Sequence, residues 1–170
     1  MLVISALVVC LMSGCAAEDD EKNEIVSKLS APFIIEAQTA SLSFELCVVG
    51  DSTLYTFTSP DELRGLSVEK LNGEVVSAVY GGIQTTLAPV ALRVPDGLAE
   101  AVELVSERLV SDGILTEKAD SGVSVYSLAI DGRAVMLYYN HYDGLIESIT
   151  YMKDGKKTEY IITDIREVVT

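Results

Sequence analysis

Tryptophan is missing from this chain, histidine occurs once and cysteine three times. No zinc signature, nucleophile elbow, phosphate loop or dinucleotide fingerprint occurs, and the lone histidine is His141. The sequence therefore predicts neither an enzyme nor a metal or cofactor. Positive charge is also scarce. Lys and Arg number 12 against 26 Asp and Glu, a formal net charge of −14. That balance excludes nucleic acid as a partner and opposes direct adsorption on anionic lipid. Neutral ligands, cationic ligands and basic protein patches remain.

The charge is unevenly placed. No charged side chain precedes Cys15, and residues Leu2 to Leu11 are apolar except for Ser5. Such a run is too short to span a bilayer as a helix and suits the hydrophobic part of a secretory signal, although it lacks a basic n-region. It ends in Leu11-Met12-Ser13-Gly14-Cys15, directly before the acidic Glu18-Asp19-Asp20-Glu21. Small residues before a cysteine at this point predict a lipoprotein signal over residues 1–14. Cys15 then carries diacylglycerol and holds the protein on the extracytoplasmic face of the cell membrane. Residues 15–30 read as the lipidated cysteine and an acidic tether with a short helical tendency around Ile25, Val26 and Leu29. Residues 31–170 are then one domain, long enough to bury roughly two thirds of its unfolded surface without disulfide or metal. With Cys10 in the signal and Cys15 acylated, Cys47 has no disulfide partner.

From Pro32 onward the hydrophobic period is two, the mark of strands. Leu42, Phe44, Leu46 and Val48 alternate with Ser41, Ser43, Glu45 and Cys47, which gives one apolar face. Tyr55 and Phe57 share a face of the next strand. Ser59-Pro60-Asp61-Glu62 reads as a helix start of one or two turns, with Ser59 as cap and Glu62 completing a capping box. Strands resume around Asn72-Gly73, a type I′ hairpin signal.

One substantial helix is expected in the middle, capped by Asp96 and ended by Gly113. Its apolar stripe is Leu98, Val102, Val105 and Leu109. A second meander follows, punctuated by Asp131-Gly132, Asp143-Gly144 and Asp154-Gly155. The residues thus predict an α+β domain of about nine to eleven mostly antiparallel strands and one central amphipathic helix packed on them. His141 falls at a hairpin tip and is expected to be solvated. Tyr138, Tyr139, Tyr142, Tyr151 and Tyr160 are expected to pack across neighbouring strands.

The string from Phe57 to Glu69, then Asn72-Gly73, a strand ending in Tyr80-Gly81-Gly82, the central helix and the returning meander resemble small lipoproteins of Clostridia-type bacteria. Those proteins are similar in fold to the LolA/LolB lipoprotein carriers and to mycobacterial lipid-binding lipoproteins. The resemblance covers roughly residues 31–165. It implies a strongly curved antiparallel sheet, an unclosed half-barrel, whose concave face is covered by helix and holds acyl chains in the carriers. No residue here matches a carrier's acyl-binding or handover residue.

Two functions are compatible with these features. One is a binding module for lipid or another amphiphile, with Leu42, Phe44, Leu46, Tyr55, Phe57, Val68 and Val76 lining the concavity. The other is a non-catalytic interaction module that recruits or regulates an envelope or cell-wall enzyme through its acidic surface.

Overall fold

The computed structural model describes residues 20–30, 32–85, 97–109, 111, 115–118 and 122–168. The expected signal over 1–14, the anchor Cys15, the Asp96 cap and the Gly113 stop lie outside them.

Two helices and eleven strands are formed by the described residues. Helix α1 spans 20–29. The strands β1 (Phe33–Gln38), β2 (Ser43–Val49), β3 (Ser52–Ser59), β4 (Ser67–Leu71), β5 (Glu74–Tyr80) and β6 (Ile83–Thr85) form the first meander. Helix α2 (Gly97–Leu109) connects it to the second, made of β7 (Leu115–Lys118), β8 (Val123–Ile130), β9 (Arg133–Asn140), β10 (Leu145–Lys153) and β11 (Lys156–Glu167). All eleven lie in one sheet of order β6-β5-β4-β3-β2-β1-β11-β10-β9-β8-β7. Every pairing is antiparallel, and β6 and β7 are the two edges of a curved, unclosed sheet.

The meanders are joined where β1 pairs with β11, Ile35 opposite Ile165 and Phe33 opposite Glu167. That double duty explains why β11 runs to Glu167, beyond the apolar stretch that marks it in sequence. It must pair with β10 along its first half and β1 along its second.

Turn chemistry follows the sequence closely. Asn72, Asp131 and Asp154 adopt positive φ of 51°, 50° and 52°, each followed by a glycine at positive φ, the type I′ pattern. Asp143-Gly144 departs from it. Residues 141–144 make a four-residue turn, closed by Gly144 N–H donating to the Asn140 carbonyl at 3.0 Å.

The helix expected from Ser59 does not form. Ser59 ends β3, and residues 61–65 are turns. The i→i+3 bonds from Leu63 to Pro60 and Arg64 to Asp61 begin a helical turn. Gly65 then takes φ 81° and donates back to Phe57, which ends it.

Alternation sorts the side chains by face. Phe33, Ile35 and Ala37 on β1 face Phe44 and Leu46 on β2, which face Phe57 and Tyr55 on β3, and all are buried. Tyr126, Leu137, Tyr139, Ile149, Tyr151 and Tyr160 continue the same core across the second meander. The Phe44 ring lies 5.9 Å from Tyr55, 6.2 Å from Phe57 and 6.4 Å from Tyr160, centroid to centroid, joining the halves. Tyr138 points to the other face of β9, and Tyr142 is an exposed turn residue.

Helix α2 buries the whole expected stripe, Leu98, Val102, Val105 and Leu109, and packs on β9 and β10. Gly97 opens it because a Cβ there would meet Tyr151 Cδ1 at 2.6 Å and the Tyr160 hydroxyl at 2.8 Å.

Helix α1 is the main departure from the sequence reading. Residues 20–29 were expected in a solvated tether, yet Ile25 and Leu29 are buried members of the core. Glu21, Ile25 and Leu29 recur at i, i+4 and i+8, one face of a helix, and that face is the one the sheet covers. A single helix was expected over the sheet; the described residues provide two.

Candidate functional site

A cavity of about 850 Å³ lies between α2 and the β1–β4 part of the sheet. The apolar part of its buried wall is Leu29 at the end of α1, Phe33 on β1, Tyr55 on β3 and Val102 on α2. Its exposed rim is formed by Glu103 and Glu107 of α2, the Gly50-Asp51 and Asn72-Gly73 turns, and Lys153. Lys70 enters the wall from β4 because it shares a face with Val68, and only 8% of it is exposed.

At one end of the cavity Glu100 joins Arg133 and Lys153, at 2.8 Å and 3.2 Å. Burial works to raise the Glu100 pKa, but Tyr151, Arg133 and Lys153 outweigh it and hold the carboxyl below its ordinary value of 4.5. The Tyr151 hydroxyl is buried without a hydrogen bond of ordinary geometry, and burial and then the nearby Glu100 raise its pKa.

A carboxyl whose folded pKa is lowered contributes stability above its unfolded pKa and loses it as pH falls through the folded one. Glu100→Gln is therefore expected to lower stability at neutral pH and to flatten the loss of stability below pH 4.5. Urea unfolding of both proteins across that range checks this; parallel curves would show that the Glu100 charge contributes nothing.

The seven residues expected to line a concavity are divided by the structure. Tyr55 alone lines the cavity. Phe44, Leu46, Phe57 and Val68 face the same side and share the packed core with Tyr55, but they do not line the cavity. Leu42 is half-buried against that core. Val76 is a correction: it is 38% exposed. A bulge places it opposite no partner, between Val75, which pairs with Lys70, and Ser77, which pairs with Glu69. The open space thus lies nearer the β2–β3 and β4–β5 turns than the middle of the strands. Lys70 was missed, although the alternation Val68-Glu69-Lys70 already places it beside Val68.

A second polar cluster fixes α1. Tyr126 donates to Glu21 Oε1 at 2.5 Å, and Glu21 Oε2 lies 3.1 Å from His141 Nδ1. His141 Nε2 lies 2.9 Å from Ser124 Oγ, and its ring meets Tyr139 edge-on. With the proton on Nδ1 facing the carboxylate, the Ser124 hydroxyl donates to Nε2. This serine–histidine–carboxylate order is that of a hydrolase relay. Ser124, however, has no exposed surface, so no ester reaches its oxygen in this conformation.

Further along α1, Lys28 bonds Glu24 at 2.8 Å and the Gly144 carbonyl, and lies over the Tyr139 ring. The Lys28 bond, then the Tyr139 hydroxyl, lower the Glu24 pKa. His141 is thus the exposed turn residue expected and, beyond that, a partner of α1. Cys47 is half-buried, with its pKa raised by burial and then by Glu45, as in a structural thiol. Among the described residues no cluster of three or more His, Cys, Asp or Glu is placed to hold a metal, and no helix is long and apolar enough to cross a membrane.

These features define an α+β domain with a helix-covered, unclosed antiparallel sheet and a sizeable cavity beneath α2. No family model and no curated protein matches the chain. Among solved structures it is similar to an uncharacterized conserved protein from Thermus thermophilus, with 12% identity over 88% of this chain and 86% of that one and a TM-score of 0.45. It is similar to MucB at 14% identity over 91% of this chain and 60% of that one, TM-score 0.41. It is also similar to the LolA superfamily protein NE2245 from Nitrosomonas europaea, at 11% identity over 87% and 94% of the two chains, TM-score 0.39. At these TM-scores the likenesses carry no inference about chemistry, and the fold stands on its own strand order and register.

Proposed function

We propose that this chain is a non-catalytic lipoprotein, anchored through Cys15 at the extracytoplasmic face of the cell membrane, that holds a lipid or other amphiphile beneath α2. The cavity carries this reading. About 850 Å³ is the size of a small-molecule site. Leu29, Phe33, Tyr55 and Val102 suit an acyl chain, and Lys70 with a rim bearing both signs of charge suits a polar head. The anchor part rests on Leu11-Met12-Ser13-Gly14-Cys15 and on the apolar run Leu2 to Leu11 that leads into it. Cys15→Ser is expected to move the protein from the membrane fraction to the soluble fraction with its fold intact. The mass of diacylglycerol should be present on the wild-type cysteine only. A Cys15→Ser protein still in the membrane fraction would contradict the anchor.

The alternative, a docking module for an envelope protein, is favoured by one observation. Leu71, Tyr80 and Ile83 on β4 to β6 are 47%, 51% and 74% exposed near an open sheet edge.

A further inference from the structure

We propose that the 141–144 turn is the surface by which the domain rests on the bilayer, with Tyr142 and Leu145 at the level of the lipid headgroups. This rests on the lipoprotein reading and adds the orientation of the domain to it.

The first observation is where the chain heads as it leaves the domain toward Cys15. Glu21, in the first described turn of α1, is bonded to His141 and Tyr126. The chain toward the anchor therefore departs beside the 141–144 turn. About five residues separate Cys15 from Asp20, which reach roughly 17 Å at full extension. The expected tether of about fifteen residues is thereby shortened to a third, and a domain held so closely must present this end to the membrane.

The second observation is what that end displays. Tyr142 is 83% exposed and Leu145 56% exposed, the one within the turn and the other at the first position of β10. The Tyr142 ring is not free to wander. It covers Gly122, where a Cβ would collide with the ring, and its backbone N–H is held by Asn140 Oδ1 at 2.8 Å. Leu145 N–H is held by Asp143 at 3.1 Å. Tyrosine is favoured where one end of the ring is apolar and the other wet, as at a membrane interface.

The charges around this end define the lipid. Asp20, Glu24, Asp143 and Glu147 are exposed there, with Lys22 and Lys28 half-buried among them. An excess of acid is repelled by anionic lipid, so the surface fits a zwitterionic bilayer. Two side chains bind weakly alone; the anchor supplies the effective concentration that makes the contact persistent.

The absence of tryptophan supplies the test. Tyr142→Trp and Tyr80→Trp each create a single fluorophore, the second at an exposed position far along the sheet on β5. Each full-length acylated protein is placed in phosphatidylcholine vesicles with brominated acyl chains, and flotation is measured alongside emission. The expected result is blue-shifted, quenched emission at position 142 and water-like, unquenched emission at position 80, with both proteins floating. Floating protein with unquenched emission at 142 overturns the docking and leaves the anchor standing, as does equal quenching at both positions. Protein that carries no diacylglycerol and does not float overturns the lipoprotein reading and the docking with it.

Discussion

Replacing Ile25 with alanine is expected to cost the domain about 2–5 kcal/mol, a large share of the roughly 5–15 kcal/mol that holds a domain folded. Ile25 has no exposed surface and sits in the common core. Removing its outer carbons loses transfer energy and leaves a cavity that neighbours on a fixed sheet cannot refill. Asn23→Ala, on the exposed side of the same helix, is the control and should stay within about 0.5 kcal/mol. Urea unfolding of both variants in the Cys15→Ser background measures the difference. If residues 20–29 were a solvated tether, the two substitutions would cost the same. Equal and negligible effects would detach α1 from the domain.

The second large effect concerns the cavity. Ala99 lies on α2 and Thr53 on β3, on opposite walls. An indole at either position occupies the space an acyl chain would take. Ala99→Trp and Thr53→Trp are each expected to weaken binding of a fluorescent fatty acid by about tenfold or more, which is about 1.4 kcal/mol. Urea midpoints close to that of the parent would show that the domain remains folded. Two plugs from different elements separate loss of space from loss of one contact. Full affinity in both would place the ligand elsewhere.

Much of the fold is legible in sequence because the signals are local. Alternation gives the strand faces, Asn-Gly and Asp-Gly give three hairpins with both residues at positive φ, and the stripe Leu98, Val102, Val105 and Leu109 gives α2 its buried side. What escapes is non-local. Glu21 reads as part of a solvated acidic run because its partners, Tyr126 and His141, lie more than a hundred residues away. Once bonded, it is 8% exposed and carries α1 into the core.

The cavity is misplaced in sequence for a related reason. Phe44, Leu46, Phe57 and Val68 are on the face that was expected to line it. Whether such a face meets a ligand or is filled by neighbouring side chains depends on packing across strands, and Phe44 packs against Tyr160, two strands along the sheet. Val76 is lost to a bulge, which shifts the alternation without marking the sequence. Ser59 to Glu62 shows the limit of a capping signal: the cap is present, but Gly65 bonds back to Phe57 before a helix can extend.

The claim at the centre of this account is that the space beneath α2 is a ligand site in a lipid-anchored domain. Native mass spectrometry of the Cys15→Ser protein, purified from its own membrane-containing cells without detergent, tests it most directly. The account predicts a bound lipid or amphiphile of defined mass at one per chain, lost from Ala99→Trp and Thr53→Trp. Bare protein in all three preparations, together with no binding of added fatty acid, would contradict it.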